Sequence, residues 1–368
     1  MVKPLVYDTT LEINMNNLVA NLNYFKTLLK PTTKIMVMVK AFSYGLGTYQ
    51  VAKLLEDNNV DYLGVANTYE GIELRKTGIT LPIMVMKPEL DSFDLVVEHQ
   101  LTPTIFSLFS LKKLIKTVNN KTPLNISLKI DTGMHRLGFD ADEIPSLIQL
   151  LKKHSFLKIE SIFSHLAAAD DNLQKEFTQH QITTFKTLAS KISAAFNYPI
   201  DYHILNTNGI INFSDAQFNM VRLGIGLYGV CSDSQTQKNL KSVSTLKSKI
   251  AQIKNIQQGE TIGYNRVGVA KLPLKIATIP VGYADGLNRA LGNGNWSVII
   301  NGKKAPIVGN VCMDMVMLNV SEINCKEGDE VFVFSDNNTI SEIAKCLKTI
   351  PYEILTAYSP RVKRIFSS

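Results

Sequence analysis

Over the first two-thirds of the chain, short apolar runs recur between longer amphipathic stretches, and this alternation constrains the fold more than any other feature. The runs span residues 34–39 (KIMVMV), 62–66, 82–86, 102–106, 125–130, 159–163, 202–205 and 220–225. They do not alternate polar with apolar positions, which suits strands buried on both faces of a parallel sheet. Helical patterns lie between them, at residues 49–59, 144–154 and 175–196. In the last of these, Phe177, Ile182, Phe185, Leu188 and Ile192 predict a single apolar stripe. Eight strand signals separated by helical ones predict an α/β chain built as a (β/α)8 TIM-like barrel. An open doubly wound sheet is the competitor, but no GxGxxG follows the first strand.

The texture changes after Cys231. Residues 232–249 are polar and rich in Ser and Lys, and read as a loop or linker. Beyond them come short strands and tight turns, with Asn301-Gly302 between alternating runs as a strong hairpin signal. The expected organisation is a barrel over residues 1–242, then a mainly β domain over 243–368, with the first ten or so residues pairing with that second domain. A length of 368 residues accommodates both, since such a barrel needs roughly 250.

Composition narrows the function classes. With 45% hydrophobic and 19% charged residues, the chain is neither collagenous, disordered nor a small disulfide scaffold. An excess of 39 basic over 32 acidic residues, net +7, gives no nucleic-acid footprint. Lys112, Lys113 and Lys116 sit at helical spacing and read as a solvated face. Four dispersed cysteines without a CxxC pair predict no metal site and a reducing compartment. No apolar run approaches the ~18 residues of a membrane span, and Asp8 and Glu12 interrupt the start before a signal-peptide core could form. The expectation is a cytoplasmic protein with no membrane or nucleic-acid partner.

Barrel chemistry sits at the carboxyl ends of the strands. Here those ends read Lys40, Asn67, Lys87, Lys129 with Asp131, His165, Asn206 and Arg222: basic and polar, without the carboxylate cluster of a glycosidase or metal hydrolase. Lys40 follows IMVMV directly and precedes AFSYGLG, a loop with two glycines that suits close approach to a ligand. A lysine at an apolar barrel mouth has a depressed pKa and can form a Schiff base with an aldehyde. The ends of strands seven and eight, Asn206-Thr207 and Gly224-Ile225-Gly226, offer hydroxyl, amide and backbone N–H groups that fit a phosphate monoester.

Six stretches in one order, VKAFSYGLG, LKIDTGMHRLGF, SHLAAAD, VRLGIGLYG, PVGYADGLNR and VGNVCMDM, strongly resemble the alanine racemase family, whose enzymes use pyridoxal 5'-phosphate (PLP). The resemblance implies that Lys40 carries PLP and acts as one catalytic base. It implies cofactor contacts from Tyr44, His165, Asn206, Thr207, Gly224 and Ile225, with Arg222 facing the pyridine nitrogen. Racemisation removes a proton from one face of the α-carbon and returns one to the other, so a second base is needed; Tyr264 matches it, supplied by the other subunit of a homodimer. Arg136 matches a substrate-carboxylate contact, supported by Lys129, which is carbamylated in relatives. Met313 and Asp314 match partner-subunit residues near the substrate, and Tyr283, Arg289 and Cys312 match supporting positions. No metal is implied.

The chain departs from the pattern at Leu223, at Gly263 and Asn265, and at Pro360, where a tyrosine is expected before the Arg-Val pair. That last change predicts one of two outcomes: a lost phosphate contact, or a contact supplied by Tyr358 from a shifted turn. The implied activity is interconversion of L- and D-alanine, supplying peptidoglycan. The alternative readings are a serine or broad-specificity racemase, and a non-enzymatic PLP-binding homeostasis protein, which the second domain argues against.

Overall fold

A computed structural model describes residues 6–118 and 123–368 of the chain. The first five residues, part of the segment expected to pair with the second domain, lie outside the described residues. The first strand, β1 (Thr10–Asn14), leads into a helix, Met15–Thr27, capped by the Asn14 side chain. Eight parallel strands follow: β2 (Lys34–Met38), β3 (Tyr62–Val65), β4 (Ile83–Val85), β5 (Thr102–Ile105), β6 (Leu124–Lys129), β7 (Leu157–Phe163), β8 (Asp201–His203) and β9 (Met220–Leu223). Each lies within a residue or two of an apolar run read from the sequence. Their order is β8-β7-β6-β5-β4-β3-β2-β9. The first and last of the eight pair directly, Lys34 opposite Met220 and Val37 opposite Leu223. Between β8 and β9, Asn219 N donates to Tyr202 O (3.1 Å) and Arg222 N to Leu205 O (2.9 Å), so the barrel is nearly closed.

The helices pack outside the barrel as their stripes require. In Lys175–Ser193, Ile182, Phe185, Leu188 and Ile192 are buried. Phe177 departs from the predicted stripe. It is 37% exposed, because its ring turns to the loop after β6, 3.0 Å from where a Cβ on Gly133 would stand.

The second sheet has nine strands in the order β11-β14-β17-β16-β15-β18-β10-β1-β19. Their ranges are β10 (Ser244–Lys249), β11 (Gln252–Ile256), β14 (Leu274–Ile279), β15 (Ser297–Ile300), β16 (Lys303–Val308), β17 (Val316–Asn319), β18 (Glu330–Phe334) and β19 (Lys363–Ser367). A separate ribbon joins β12 (Thr261–Ile262) to β13 (Gly268–Val269). The predicted hairpin joins β15 to β16, with Asn301 and Gly302 both at positive φ (49° and 75°), as its two-residue turn requires. Residues 10–14 sit inside this sheet, antiparallel to β10 and parallel to β19.

One reading of the sequence needs correcting. Residues 232–249 are not a linker: they contain a helix, Ser234–Asn239, capped by Asp233, and then β10. The strand looked polar because two of its inward positions are serines, Ser244 and Ser248, both buried. Ser248 Oγ meets Thr9 Oγ1 at 2.9 Å. Small hydroxylated side chains fill inward positions of this strand, which composition alone reports as loop.

Leu11 and Ile13 are fully buried where the second sheet meets the rest of the core. Leu11→Ala is expected to destabilise the protein by about 2–5 kcal/mol, read as a lowered urea midpoint with an unchanged m-value.

Candidate active site

The carboxyl ends of the barrel strands surround a cavity of about 670 Å³. Its wall includes Lys40, Tyr44, Lys129, Arg136, His165, Asn206, Thr207, Arg222 and Gly224, nine of the residues singled out in the sequence. Ile225 is the exception within that group. It is buried beside Gly224 and does not reach the cavity wall.

Lys40 is held by an unusual backbone. Ala41, Phe42, Ser43 and Tyr44 all have positive φ (53°, 56°, 50° and 54°), a left-handed turn made without glycine. Such a conformation costs roughly 1–2 kcal/mol per residue. It swings Lys40 and Tyr44 onto one wall. Burial, then the charges of Arg136 and Arg222, hold the Lys40 amine below its ordinary pKa. That favours the neutral, nucleophilic form. Tyr44 stacks on Tyr228 at 4.5 Å, and Tyr228 Oη donates to Met38 O at 2.8 Å. Burial raises the Tyr44 phenol well above its ordinary value, so it serves as a neutral hydroxyl.

Arg222, next to the carboxyl end of β9, is 2% exposed. Its Nη1 donates to His203 Nδ1 (2.7 Å) and His203 O (3.3 Å); its Nη2 donates to Ser164 O (2.7 Å), Ile204 O (3.0 Å) and His165 Nδ1 (3.4 Å). Among the described residues its Nε makes no hydrogen bond, leaving one donor for a ligand. Burial pushes the guanidinium down to about 9, still charged at neutral pH. Burial and the Arg222 charge press both histidines well below 6.5. They are neutral acceptors. His203 Nε2 completes the chain against Ser161 Oγ at 3.2 Å, and the His203 ring stacks on Phe163.

Thr207 ties the loop after β9 to the helix Thr207–Asn212. Its Oγ1 accepts from Gly224 N (3.0 Å) and Gly226 N (3.4 Å). A Cβ on Gly224 would stand 2.9 Å from Tyr44 Oη, so glycine keeps this wall open. Asn206 caps the helix, accepting from Gly209 N at 2.9 Å. On the opposite side, Lys129 lies at the end of β6, and burial, then Arg136 and Arg222, lower it to about 8. Asp131 is spent on shape: Oδ1 accepts from Gly133 N and His135 N, folding the turn that carries Arg136.

The chemistry of this wall fits a phosphorylated pyridine aldehyde. It offers a suppressed amine for the aldehyde and an unspent Arg222 Nε–H for a ring nitrogen. Tyr44 and the Gly224 edge make a cradle, which a Cβ would fill, for the phosphate.

Of the two outcomes expected at Pro360, the one that uses Tyr358 is set aside by the structure. Tyr358 is buried against Phe334 (5.3 Å) and does not line the cavity. Tyr352 does, with Ile350, its ring 5.9 Å from Tyr44. It was missed because it lies about three hundred residues from Tyr44 in a stretch, IPYEIL, without a chemical motif. His203 was missed for a similar reason: an apolar strand gives no sign that its histidine supports an arginine.

The remaining predicted residues lie elsewhere on this chain. Tyr264 is 68% exposed and lines a separate groove with Cys312 and Met317. Met313 is exposed nearby. Asp314 pairs with Arg361 (2.7 Å), which also grips Asp285 (2.6 Å). Tyr283 N donates to Cys312 O (3.0 Å), linking the two loops of this face, and Arg289 is at the surface. Among the described residues no group of three or more His, Cys, Asp or Glu side chains could hold a metal ion.

Comparison with known proteins places both halves of the chain. Residues 13–232 match the model for the alanine racemase N-terminal domain, and residues 243–366 the model for the alanine racemase C-terminal domain. An alanine racemase of Caldanaerobacter subterraneus subsp. tengcongensis is 39% identical, over 97% of this chain and 94% of that protein. The solved alanine racemase of Clostridium difficile superposes with a TM-score of 0.92 at 37% identity, covering 99% of this chain and 96% of that one. A Bartonella henselae alanine racemase with covalently bound pyridoxal phosphate gives 0.89 at 28% identity, covering 98% and 100%.

Neutral His165 and His203 carry a pH signature. Below the ordinary histidine value of 6.5 the unfolded chain binds protons that these folded histidines refuse, so stability falls with pH there. The expected slope is at most about 1.4 kcal/mol per pH unit for each histidine. Urea midpoints from pH 7 down to 4 measure it, and His203→Asn should flatten it.

Proposed function

The chain belongs to the alanine racemase family, and from that premise we propose how its own residues divide the work. The activity is the PLP-dependent interconversion of L- and D-alanine, an isomerisation. Bound PLP supplies an aldehyde that captures the amino group and a conjugated ring that acidifies the bond from Cα to hydrogen.

Lys40 would hold the cofactor through its amine, and the same amine would move the Cα proton on one face. Its suppressed basicity supports both roles, since a permanently charged amine could neither attack an aldehyde nor accept a proton. Tyr44, Tyr352 and the Gly224 edge bind the phosphate, and Asn206 and Thr207 hold that edge in place. Ile225 contributes through its backbone only. Arg222 faces the pyridine nitrogen and keeps its own proton, because it is fixed as a donor by five acceptors. His165 packs beside the ring. Arg136 binds the substrate carboxylate. Lys129 supports it: an amine lowered to about 8 between Arg136 and Arg222 favours conversion to an anionic carbamate, which would relieve the crowding of positive charge.

The single observation that carries the two-base reading is that this chain leaves its second base outside the Lys40 cavity. Tyr264 stands exposed on the second domain, flanked by exposed Met313, Met315 and Val267. Phe42 and Tyr69 are exposed beside the barrel mouth. A second copy laying the first face over the second would bring Tyr264 to the opposite face of Cα, so the functional unit is a homodimer with shared sites. Met313 and Asp314 would then approach the substrate from the partner, with Tyr283, Arg289 and Cys312 supporting that face. No helix among the described residues is long and apolar enough to cross a membrane. The enzyme works in the cytoplasm, where D-alanine is drawn into peptidoglycan.

Three measurements test this. Tyr264→Phe is expected to lower racemisation by about 10²–10⁴-fold while solvent hydrogen still exchanges at Cα of one alanine enantiomer. Lys40→Ala and Tyr264→Phe, each strongly impaired alone, should regain activity when mixed, because a heterodimer holds one site with both bases; no recovery rejects the shared site. Intact-mass analysis in bicarbonate buffer should show one added carbon dioxide per chain, absent in Lys129→Ala.

A further inference from the structure

The strained turn after Lys40 is gripped from two directions by residues outside the cavity wall. Glu70, in the helix Thr68–Lys76, accepts from Ala41 N through Oε1 (2.8 Å) and from Ala66 N through Oε2 (2.7 Å). It thereby ties the first residue of the turn to the end of β3. It sits three residues after the helix cap Asn67, where a glutamate ordinarily reaches back to the cap's own N–H. Here it bypasses that donor for the neighbouring strand end and the turn.

From the other side Arg364, on β19 of the second sheet, donates to Gly45 O through Nε (3.1 Å) and Nη2 (2.8 Å). Its remaining donors take Ser359, Val362 and Tyr358 carbonyls, and its guanidinium lies over the Phe42 ring at 5.4 Å. The turn closes on itself between these grips, with Gly45 N donating to Ala41 O at 2.9 Å.

We propose that Glu70 and Arg364 are positioning residues that clamp the left-handed turn, so that the second domain holds the cofactor-bearing lysine in register with its barrel. The proposal rests on Lys40 as that lysine. Four non-glycine residues at positive φ do not persist without compensation from their surroundings. A carboxylate at the turn's first N–H and a forked guanidinium on its last carbonyl are strong, directional compensation. Glu70 has a second effect. Arg136, Arg222, Lys129 and His165 face Lys40 from the other strand ends, and the Glu70 carboxylate is the charge that opposes the two arginines at its amine.

The experiment compares the full-length wild type with Glu70→Gln and Arg364→Lys. Hydrogen exchange of the PLP-loaded enzyme should show the amides of residues 41–45 protected, and opening roughly tenfold or more faster in either variant. Titration with PLP should show weaker binding in both. The pH profile of Lys40 acetylation in the cofactor-free chain should move to lower pH in Glu70→Gln alone, a shift that a merely structural contact would not produce. Unchanged exchange and unchanged PLP affinity in both variants overturn the clamp, as does an unmoved acetylation profile in Glu70→Gln. If one variant does not fold, the other decides by the same exchange and PLP-affinity readouts, and unprotected amides at 41–45 in the loaded wild type reject the proposal outright. Borohydride reduction followed by peptide mapping separates this from the functional reading, because PLP found on another lysine rejects Lys40's role while the exchange data still report on the turn.

Discussion

A guanidinium buried at the carboxyl end of barrel strands has to have its hydrogens accepted, and much of this molecule's site follows from meeting that demand for Arg222. The carbonyls of Ser164, His203 and Ile204 are drawn to it from the ends of β7 and β8, where strands give way to loops and main-chain oxygens come free. Two imidazoles complete the set, and they can accept only while neutral, so the same charge that recruits them suppresses their protonation. The positive field extends outward. Burial is the main cause that lowers Lys129 and Lys40, and the charges of Arg136 and Arg222 add to it, so a cavity rich in basic residues holds an amine of reduced basicity.

The second domain is part of this site rather than an appendage. It lends Ile350 and Tyr352 to the cavity and the Arg364 fork to the turn behind Lys40. It is itself threaded by β1, so the chain enters the second sheet, leaves to build the barrel and returns. Such a path couples the halves covalently and through packing. Its outward face, with Tyr264 and Met313, is shaped from within: Asp285 accepts from Gly282 N and from Arg361, and Arg361 holds Asp314. A side chain on Gly282 would meet the carbonyls of Cys312 and Met313 at 2.3–2.4 Å, so the two loops can touch only because that residue is glycine.

How much of this was readable before folding depended on how local each signal was. Eight apolar runs announced eight strands because burial on both faces favours apolar residues at successive positions, and each run carries that mark within itself. The Asn301-Gly302 turn was legible for the same reason. β10 was not, because its serines are buried where it pairs with β1, which lies more than two hundred residues away, and Ser248 there meets Thr9. The site divided along the same line. Lys40, Thr207 and Arg222 stand at strand ends and could be read by position, whereas Tyr352, His203 and Glu70 acquire meaning only from what they touch. Pro360 drew attention to a lost tyrosine, yet the hydroxyl at the cavity comes from Tyr352, one helix earlier.

By itself the sequence determined the architecture, the lysine at its mouth and the family whose chemistry it performs, since periodicity, turn residues and ordered motifs are properties of neighbouring residues. Tertiary structure alone decided the protonation and aim of those groups: that Lys40 sits on a left-handed turn, that Arg222 is satisfied by carbonyls and neutral rings, and that Tyr264 faces away from the cavity of its own chain. Those outcomes depend on desolvation and on hydrogen bonds between segments far apart in the chain, and no local pattern encodes either.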